Sequence, residues 1–495
     1  MITFGTAGLR GPMRGGPDGM NVDTVERATW AVARVLRERC LGGSTVVVGR
    51  DARHNSDDFA LATAEVFAAA GFDVVLLPDA LPTPVVAFAV RRLRAAAGVQ
   101  ITASHNPAAD NGYKVYFDGG VQIISPIDRE IEAAMRRAPQ LIPREIVQPS
   151  DTGLVELYMD RAAGVRRTAE PVRAALTPMH GVGGTVALEV LRRAGITDVH
   201  TVASQFWPDP DFPTVAFPNP EEPGATDAVL ALAADVDADI AIALDPDADR
   251  CAVGIPTESG WRMLSGDETG WLLGDYILST TQTPASEVPT VASTVVSSRM
   301  LGCIAAAHGA RHVETLTGFK WLARAAEESL VYAYEEAIGH CVDPSAVRDK
   351  DGVSAAVLAC DLVSTLKMNG RTVIGALDDL ARQHGVHQTA AATERVTDAA
   401  AVMTRLRTRP PSQLAGIDVS VDDLQDRRGA QRTDALILRG ESVRVAIRPS
   451  GTEPKIKGYL EVALAPRQDL PAAQAQAATL LAALTTEVSA LLTGM

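Results

Sequence analysis

The sequence predicts an α/β protein of three similar tandem domains with mixed or parallel sheets, followed by a smaller C-terminal α+β domain. Three observations support this prediction. A unit of strand, helix, glycine and strand recurs three times, the segments from about residue 410 onward follow another pattern, and 495 residues are enough for three or four domains of about 150 residues each.

Each repeated unit starts and ends with a short apolar strand. The first strands are expected at 45–48, 173–176 and 289–292, and the second strands at 74–77, 199–202 and 312–315. Gly71, Gly195 and Gly309 precede the second strands, where a helix C-cap belongs. Strand–helix–strand units of this length predict parallel strands in sheets that helices cover.

Domain boundaries are expected in two stretches, 164–171 and 280–289, the second of which is rich in Ser, Thr and Pro. The predicted domains are therefore 1–168, 169–284, 285–394 and 395–495. In the last domain, residues 409–411 (Arg-Pro-Pro) are typical of a linker, 418–421 and 443–447 alternate like strands, and an Ala/Leu-rich helix is expected at about 472–492.

Composition excludes several classes of partner. The net charge of −15 argues against nucleic acid and anionic membranes, because both reward basic surfaces. The five cysteines are scattered without a C-x-x-C pair, which indicates reduced thiols in a cytoplasmic protein. No signal peptide and no apolar run long enough to span a bilayer are visible.

Lysine usage is informative, because the chain has only six lysines and arginine supplies its other basic residues. Lysines retained in such a chain are candidates for roles that need a compact ammonium group. They are Lys114, Lys320, Lys350, Lys367, Lys455 and Lys457.

The segment Thr102-Ala103-Ser104-His105-Asn106-Pro107 places a hydroxyl nucleophile beside an imidazole, after a strand-like run at 98–101. Pro107 prevents a helix from continuing through it. Taken alone, the Ser104–His105 pair is also explained by ordinary turn chemistry.

A carboxylate cluster follows the apolar strand expected at 240–244. Asp245, Asp247 and Asp249 are spaced by two, so in an extended segment their side chains point the same way. Hard oxygen ligands of this kind suit Mg²⁺. An EF-hand calcium loop is excluded, because Arg250 and Pro256 occupy the positions of its glycine and its bidentate glutamate.

The C-terminal segment 448–455 contains two cations, two hydroxyls and a glycine after a strand. A guanidinium group, hydroxyls and backbone amides are what a phosphate dianion needs, although a Gly-Pro turn with surface charges would look the same. Two weaker candidates are the acidic loop at 334–340, which suits sugar hydroxyls, and the glycine-rich N-terminus at 4–11, which would present Arg10.

Taken together, these segments resemble the α-D-phosphohexomutase family over the full chain, with the serine, metal, sugar and phosphate loops in family order. The resemblance implies four domains around a central cleft and implies Mg²⁺ and a glucose 1,6-bisphosphate activator. It assigns a phosphorylated Ser104 that binds the metal with Asp245, Asp247 and Asp249; catalytic roles to His105, Lys114, Arg10 and Arg250; and substrate binding to Glu336, His340, Lys320, Arg448, Ser450, Gly451 and Thr452. Lys114 could act as a base only if its pKa were lowered.

The resemblance implies a phosphosugar mutase that interconverts hexose 1-phosphate and hexose 6-phosphate, with glucose or mannose as the sugar, through a bisphosphate intermediate. Ile338 stands where many glucose and mannose members carry serine, and the surrounding motifs are similar to the branch of phosphopentomutases and glucose-1,6-bisphosphate synthases. Both activities remain alternatives, as does a non-catalytic sugar-phosphate sensor. A small-molecule sugar phosphate is the expected partner, and a monomer or homodimer the expected assembly.

Overall fold

The computed structural model describes residues 2–5, 7–150, 152–281, 287–429, 432–450 and 455–494. Within these ranges the chain forms four sheets of four to six strands and one small two-stranded sheet. The first three sheets are mixed and the fourth is antiparallel, which confirms the predicted fold class.

The first sheet lies between helices on both of its faces. Its strands are β1 (Leu9–Pro12), β2 (Thr45–Arg50), β3 (Asp73–Ala80), β4 (Ala97–Ile101), β5 (Asp110–Phe117) and β6 (Val121–Gln122), and its helices are α1 (Val22–Glu38), α2 (Ser56–Ala69), α3 (Thr83–Leu93) and α4 (Ile127–Met135). The order is β1-β5-β4-β2-β3, with β6 beside β5. The central strand β2 is a run of buried valines, as a parallel strand covered on both faces requires.

The second unit repeats this arrangement. Its elements are α5 (Leu154–Ala163), β7 (Arg173–Thr177), α6 (Gly183–Arg193), β8 (Asp198–Thr201), α7 (Asp227–Asp235), β9 (Ile240–Leu244), β10 (Cys251–Thr257) and β11 (Gly260–Met263). The strand order is β11-β10-β9-β7-β8.

The third unit follows the same plan with fewer strands. Its elements are α8 (Gly266–Thr280), β12 (Thr290–Thr294), α9 (Met300–Ala307), β13 (Arg311–Thr315), α10 (Phe319–Leu322), β14 (Leu330–Glu335), β15 (Gly339–Cys341), α11 (Gly352–Met368) and α12 (Val373–His384). The strand order is β13-β12-β14-β15.

All three sheets share one topology: three parallel strands followed by an antiparallel strand. The predicted cap glycines Gly71, Gly195 and Gly309 have φ values of +79°, +76° and +67°. Residues with side chains rarely adopt this conformation, so glycine ends each helix and the chain turns into the next strand.

The fourth unit is α+β, as predicted. Its elements are β16 (Val386–Arg395), α13 (Ala399–Thr408), β17 (Gln413–Leu414), β18 (Ile417–Asp418), β19 (Ser420–Asp423), β20 (Leu436–Arg439), β21 (Val443–Pro449), β22 (Lys455–Leu464) and α14 (Leu470–Thr493). The sheet order is β16-β22-β21-β20-β19, and β17 pairs with β18 apart from it.

One prediction for this unit was wrong. The strand expected at 418–421 is split, because Val419 hydrogen-bonds Ser412 between a hairpin strand and a strand of the main sheet. Residues 409–411 connect α13 to β17 without helix or strand, as the linker-like sequence predicts.

Helix packing favours earlier domain boundaries than the sequence suggested. Helix α5 packs on α6, and α8 packs on α9 and β14, so each belongs with the sheet that follows it. Strand β16 pairs along its whole length with β22, which places it in the fourth unit. We therefore propose boundaries near residues 153, 265 and 385.

Helix α14 is long and apolar enough to cross a membrane by length and composition alone. Its Leu484, Val488 and Leu492 are fully buried, and the helix packs on β16 and β22. In the described chain it therefore covers one face of the fourth sheet.

Candidate active site

Three of the predicted loops occupy the same topological position. The serine loop (102–109), the metal loop (245–250) and the sugar loop (336–338) each join the last parallel strand of a sheet to its antiparallel strand. Each contains a non-glycine residue in the left-handed region: Ser104 at φ +53°, Ala248 at +53° and Ile338 at +55°. Such a conformation costs about 1–3 kcal/mol and persists only where surrounding contacts enforce it.

Ser104 lies at the centre of the assembly. Its Oγ is 2.9 Å from Oδ2 of Asp245 and 3.3 Å from Nδ1 of His105, and its side chain is buried. Its backbone N–H donates to Oγ1 of Thr102, which helps to hold the turn. The loops of the first and second sheets therefore meet at the predicted nucleophile.

Arg53 enforces the shape of the serine loop and was missed by the sequence analysis. Its guanidinium group donates four hydrogen bonds to loop carbonyls: those of Ser104 (2.5 Å), Asn106 (2.7 Å), Pro107 (2.8 Å) and Asp110 (3.1 Å). Asp51, 3.3 Å from Nε, balances the buried charge. No local motif identifies Arg53, because its partners lie about fifty residues further along the chain.

The metal loop brings three carboxylates together. One oxygen each from Asp245, Asp247 and Asp249 lies within 4.8 Å of the other two, and all three residues are completely buried. Oδ1 of Asp247 and Oδ1 of Asp249 have no hydrogen-bond partner among the residues that the structure describes. Unpaired buried carboxylate oxygens are costly, so this donor set fits a hard cation such as Mg²⁺.

Cations from all three repeats surround these carboxylates. Nζ of Lys114 is 2.6 Å from Asp247 and 2.7 Å from Asp249, and Nζ of Lys350 is 3.3 Å from Asp249. Nε of Arg250 is 3.0 Å from Asp245. Lys350 was not predicted as a site residue, although the scarcity of lysine in this chain was a signal that could have identified it.

The protonation state of Lys114 differs from that required of a base. Burial alone would lower its pKa, but the carboxylates of Asp247 and Asp249 outweigh burial and raise the pKa above its ordinary value. In this arrangement Lys114 is therefore an ammonium ion, able to donate a proton or stabilise negative charge.

The pKa of His105 is shifted in the opposite direction to that of Lys114. Burial, together with the positive charges of Arg250 and Arg10, holds its pKa well below the ordinary range. The imidazole is therefore neutral near pH 7, and it lies next to Ser104 Oγ. Burial and the neighbouring carboxylates raise the pKa of Asp245, so the serine hydroxyl faces two groups able to accept its proton.

The N-terminal loop approaches the site from the first sheet. Nη1 of Arg10 is 3.4 Å from Oδ1 of Asn106 in the serine loop, and Lys320 reaches the carbonyl of Gly5 at 3.5 Å. Burial lowers the pKa of Lys320. Arg10 therefore lies beside the serine loop, while Lys320 of α10 contacts the N-terminal segment.

Glu336 is anchored within the third repeat. Its Oε2 accepts hydrogen bonds from Oγ1 of Thr294 (2.8 Å) and Oγ of Ser297 (2.7 Å). These two hydroxyls fix the direction of the carboxylate that the sequence assigned to sugar binding.

Ile338 does not present its side chain to a ligand. It is almost completely buried in an apolar cluster with Met179, Val202 and Ala225 of the second repeat. Ile338 therefore adds apolar contact between the second and third units.

His340 belongs to a buried aromatic group in the third repeat. It is completely buried, its Nδ1 is 3.0 Å from the Tyr332 hydroxyl, and its ring stacks on Tyr334. Burial lowers its pKa to about 3. β15 directs this side chain to the same face as Tyr332 and Tyr334, where the Tyr334 hydroxyl donates to Asp267 of α8. A role for His340 in substrate binding stays a prediction.

The predicted phosphate loop is described only in part. Arg448 lies next to the last residue of β21, and the N–H of Ser450 donates to the carbonyl of Lys455 at 2.8 Å. Gly451 and Thr452 lie outside the described residues.

Buried ion pairs join the fourth sheet to the third. Glu461 accepts hydrogen bonds from Ser298 Oγ (2.8 Å) and from Arg299 N (2.9 Å) and Nε (2.7 Å). Arg444 donates to the carbonyls of Val295 and Ser297 and to Glu314. These contacts hold the strand that carries Arg448 against the third unit.

Comparison with known proteins supports the same arrangement of repeats. Profiles of the phosphoglucomutase/phosphomannomutase alpha/beta/alpha domains I, II and III match residues 1–141, 156–258 and 265–383. The second and third matches start close to the boundaries that helix packing favours.

Similar proteins match along almost the whole chain. A probable phosphomannomutase of Haemophilus influenzae is 41% identical over 460 residues, covering 90% of this chain and 93% of the relative. A phosphopentomutase of Mus musculus is 35% identical over 528 residues, covering 95% and 85%. The crystal structure of a putative phosphomannomutase from Thermus thermophilus superposes with a TM-score of 0.76 at 25% identity, covering 97% of this chain and 99% of that chain.

Proposed function

Because the chain belongs to the α-D-phosphohexomutase family, we propose that it interconverts hexose 1-phosphate and hexose 6-phosphate, with glucose or mannose as the sugar. The broader class is phosphosugar mutase, an intramolecular phosphotransferase, and the names of its relatives share this class. The observation that carries the proposal is the buried hydroxyl of Ser104, 2.9 Å from a cluster of three carboxylates.

Asp245, Asp247 and Asp249 would hold Mg²⁺ together with the phosphorylated side chain of Ser104. When bound, the cation neutralises negative charge on the phosphoryl group. The other requirements of phosphoryl transfer are position and charge, and the protein supplies both. Arg53 fixes the serine loop, while Lys114 and Arg250 place positive charge beside it.

In the proposed reaction, phosphorylated Ser104 gives its phosphoryl group to a hydroxyl of the sugar phosphate. The resulting bisphosphate turns over in the cleft, and its other phosphoryl group returns to Ser104. In the return step, where Ser104 Oγ attacks the phosphoryl group of the bisphosphate, His105 is suited to accept the serine proton, because its imidazole is neutral and its Nδ1 lies 3.3 Å from Oγ. Lys114 is suited to donate a proton to the oxygen that leaves.

Substrate binding is shared by the third and fourth units. Glu336 would accept hydrogen bonds from sugar hydroxyls, while Arg448 and Ser450, with Gly451 and Thr452, would hold the phosphate that does not react. Closure of the fourth unit over the cleft would exclude water, which would otherwise hydrolyse the phosphoserine.

A phosphopentomutase is the second candidate. The similarity to the mouse phosphopentomutase over 95% of this chain favours it. The chemistry at Ser104 would be the same, and the substrate would be a ribose or deoxyribose phosphate.

The deciding experiment measures kcat/KM for glucose, mannose, ribose and deoxyribose 1-phosphates, with Mg²⁺ and glucose 1,6-bisphosphate as activator. If a hexose phosphate is turned over most efficiently, the main proposal is supported. If a pentose phosphate is preferred by orders of magnitude, the phosphopentomutase proposal replaces it.

The Ser104→Ala variant should keep its circular dichroism spectrum and lose nearly all turnover; full activity would refute the phosphoserine. Light scattering tests the expected monomer or homodimer, and cell fractionation the expected cytoplasmic location.

A further inference from the structure

Helix α3 of the first unit begins against the metal loop of the second unit. Its first residue, Thr83, is completely buried. The backbone N–H of Thr83 donates to the carbonyl of Asp247 at 2.9 Å, and its Oγ1 donates to Oδ2 of the same aspartate at 2.5 Å. Thr83 therefore holds both the main chain and the side chain of one predicted metal ligand from a neighbouring unit.

The two carboxylate oxygens of Asp247 have different surroundings. Oδ2 accepts hydrogen bonds from Thr83 Oγ1 at 2.5 Å and from Lys114 Nζ at 2.6 Å. Oδ1 is buried and has no hydrogen-bond partner in the part of the chain that the structure describes. Two donors on Oδ2 restrict rotation of the carboxylate, so Oδ1 is the oxygen that remains for a cation.

The first sheet fixes the position of Thr83. A proline stands on each side of it in the sequence, and the proline ring nearly fixes φ. Just before this segment, the N–H of Leu81 donates to the carbonyl of Arg50 at 2.8 Å, and Nε2 of Gln100 donates to the carbonyl of Leu81 at 3.0 Å. The start of α3 has no side-chain cap hydrogen bond, so the hydroxyl of Thr83 is directed to Asp247 and not to its own helix.

We propose that Thr83 is a positioning residue for Mg²⁺ binding, which acts through Asp247; the inference rests on the metal site of the proposed function. Groups that hydrogen-bond a metal ligand set its orientation, and their loss typically lowers metal affinity about 10- to 100-fold. Because Lys114 also holds Oδ2, loss of the Thr83 hydroxyl should have an effect at the lower end of this range, about tenfold. The affinity for Mg²⁺ therefore depends on a side chain of the first unit, although all three predicted carboxylate ligands lie in the second.

Calorimetric titration of the intact protein with MgCl₂ tests this inference without turnover. Thr83→Val removes the hydroxyl but keeps the backbone N–H and the size of the side chain, so Kd for Mg²⁺ should rise about tenfold. Thr83→Ser keeps a hydroxyl and should bind Mg²⁺ like the wild-type protein. Mass spectrometry of the intact proteins checks that all of them carry the same amount of phosphate.

The titration separates failure of this inference from failure of the metal site. If the wild-type protein binds Mg²⁺ and Thr83→Val binds it with the same Kd, the role of Thr83 is overturned and the metal site stands. If the wild-type protein binds no Mg²⁺, the metal site of the proposed function fails, and the role of Thr83 fails with it.

Thr63→Val is the matched control. Thr63 is also a completely buried threonine of the first unit, but its Oγ1 donates to the carbonyl of Phe59 within α2, at 2.8 Å. This variant loses one buried hydroxyl without a change at the metal loop, so its Kd for Mg²⁺ should equal that of the wild type. A Kd raised as much as in Thr83→Val would show that general loosening of the first unit is the cause, and would overturn the inference.

Kinetics give a second measurement of the same role. In Thr83→Val, the Mg²⁺ concentration for half-maximal activity should rise about tenfold, while the KM for the sugar phosphate at saturating Mg²⁺ should stay near the wild-type value. A raised KM with an unchanged Mg²⁺ requirement would contradict a role in metal binding.

If Thr83→Val does not fold, hydrogen exchange of the wild-type protein decides. Because the N–H of Thr83 donates to Asp247, Mg²⁺ should slow amide exchange at the start of α3 as well as in the metal loop. Protection confined to the second unit would overturn the inference.

Discussion

Replacing Lys114 by methionine tests whether its ammonium group balances the carboxylate cluster. Nζ of Lys114 lies 2.6 and 2.7 Å from Asp247 and Asp249, and all three side chains are fully buried. Methionine keeps most of the apolar stem but leaves two buried carboxylates without this partner. Removing one member of a buried ion pair costs about 3–5 kcal/mol, so the free energy of unfolding should fall by that amount.

Magnesium should restore part of this loss, because a cation held by the same carboxylates replaces the missing charge. At a concentration one hundred times Kd, binding to the folded state alone adds about 2.7 kcal/mol. The assay is urea denaturation followed by circular dichroism, with and without Mg²⁺. Mg²⁺ should increase the free energy of unfolding of the variant by more than it increases that of the wild-type protein.

Lys367→Met is the matched control. Its Nζ also contacts an aspartate, Asp239, at 2.7 Å, but the Lys367 side chain is 60% exposed. Exposed pairs contribute up to about 1 kcal/mol, so this variant should lose little stability and respond to Mg²⁺ like the wild type. The reasoning is refuted if Lys114→Met loses no more stability than Lys367→Met. It is also refuted if Mg²⁺ does not reduce the difference in free energy of unfolding between Lys114→Met and the wild-type protein.

Three further predictions follow from residues around the site. Arg53→Met removes four hydrogen bonds that hold residues 104–110. It should lower kcat by about 100-fold, because a shift of about 1 Å at a reacting group has an effect of this size. A kcat near the wild-type value would contradict the role of Arg53. Burial raises the pKa of Asp267 from 3.8 to about 7, so its contribution to stability is present below about pH 4 and is lost as pH rises towards 7. In Asp267→Asn, the free energy of unfolding measured by urea denaturation should fall less steeply between about pH 4 and pH 7. An unchanged pH profile would contradict this role of Asp267. Ile338→Ser should cost about 2–5 kcal/mol of stability, because it partly empties an apolar site. The ratio of hexose to pentose kcat/KM should stay unchanged, and a reversed ratio would show that this side chain selects the sugar.

The loops that carry the chemistry could be predicted from the sequence because their residue types are rare in combination. Ser104 with His105, and three aspartates spaced by two, are local patterns that follow recognisable strands. The repeated glycines gave the three-domain organisation for the same reason, since each marks a turn that other residues rarely form.

The residues that support the loops could not be found in this way. Arg53 acquires its role only when the first sheet brings residues 104–110 to its guanidinium group. Lys350 meets Asp249 across a domain boundary. The direction of the His340 side chain depends on which face of the third sheet it enters, and sequence periodicity does not fix that in a strand of three residues. Ile338 precedes this strand and finds its apolar partners only in the second repeat, far away in the sequence.

The equivalent position of the serine, metal and sugar loops has a consequence for how the site is assembled. Each loop leaves the same place in a sheet of the same topology, and each turns through one left-handed residue. The proposed site therefore depends on all three units at once, because Ser104, the three aspartates and Glu336 come from three different sheets. Loosening any one unit should disturb the site even where that unit's own loop is intact.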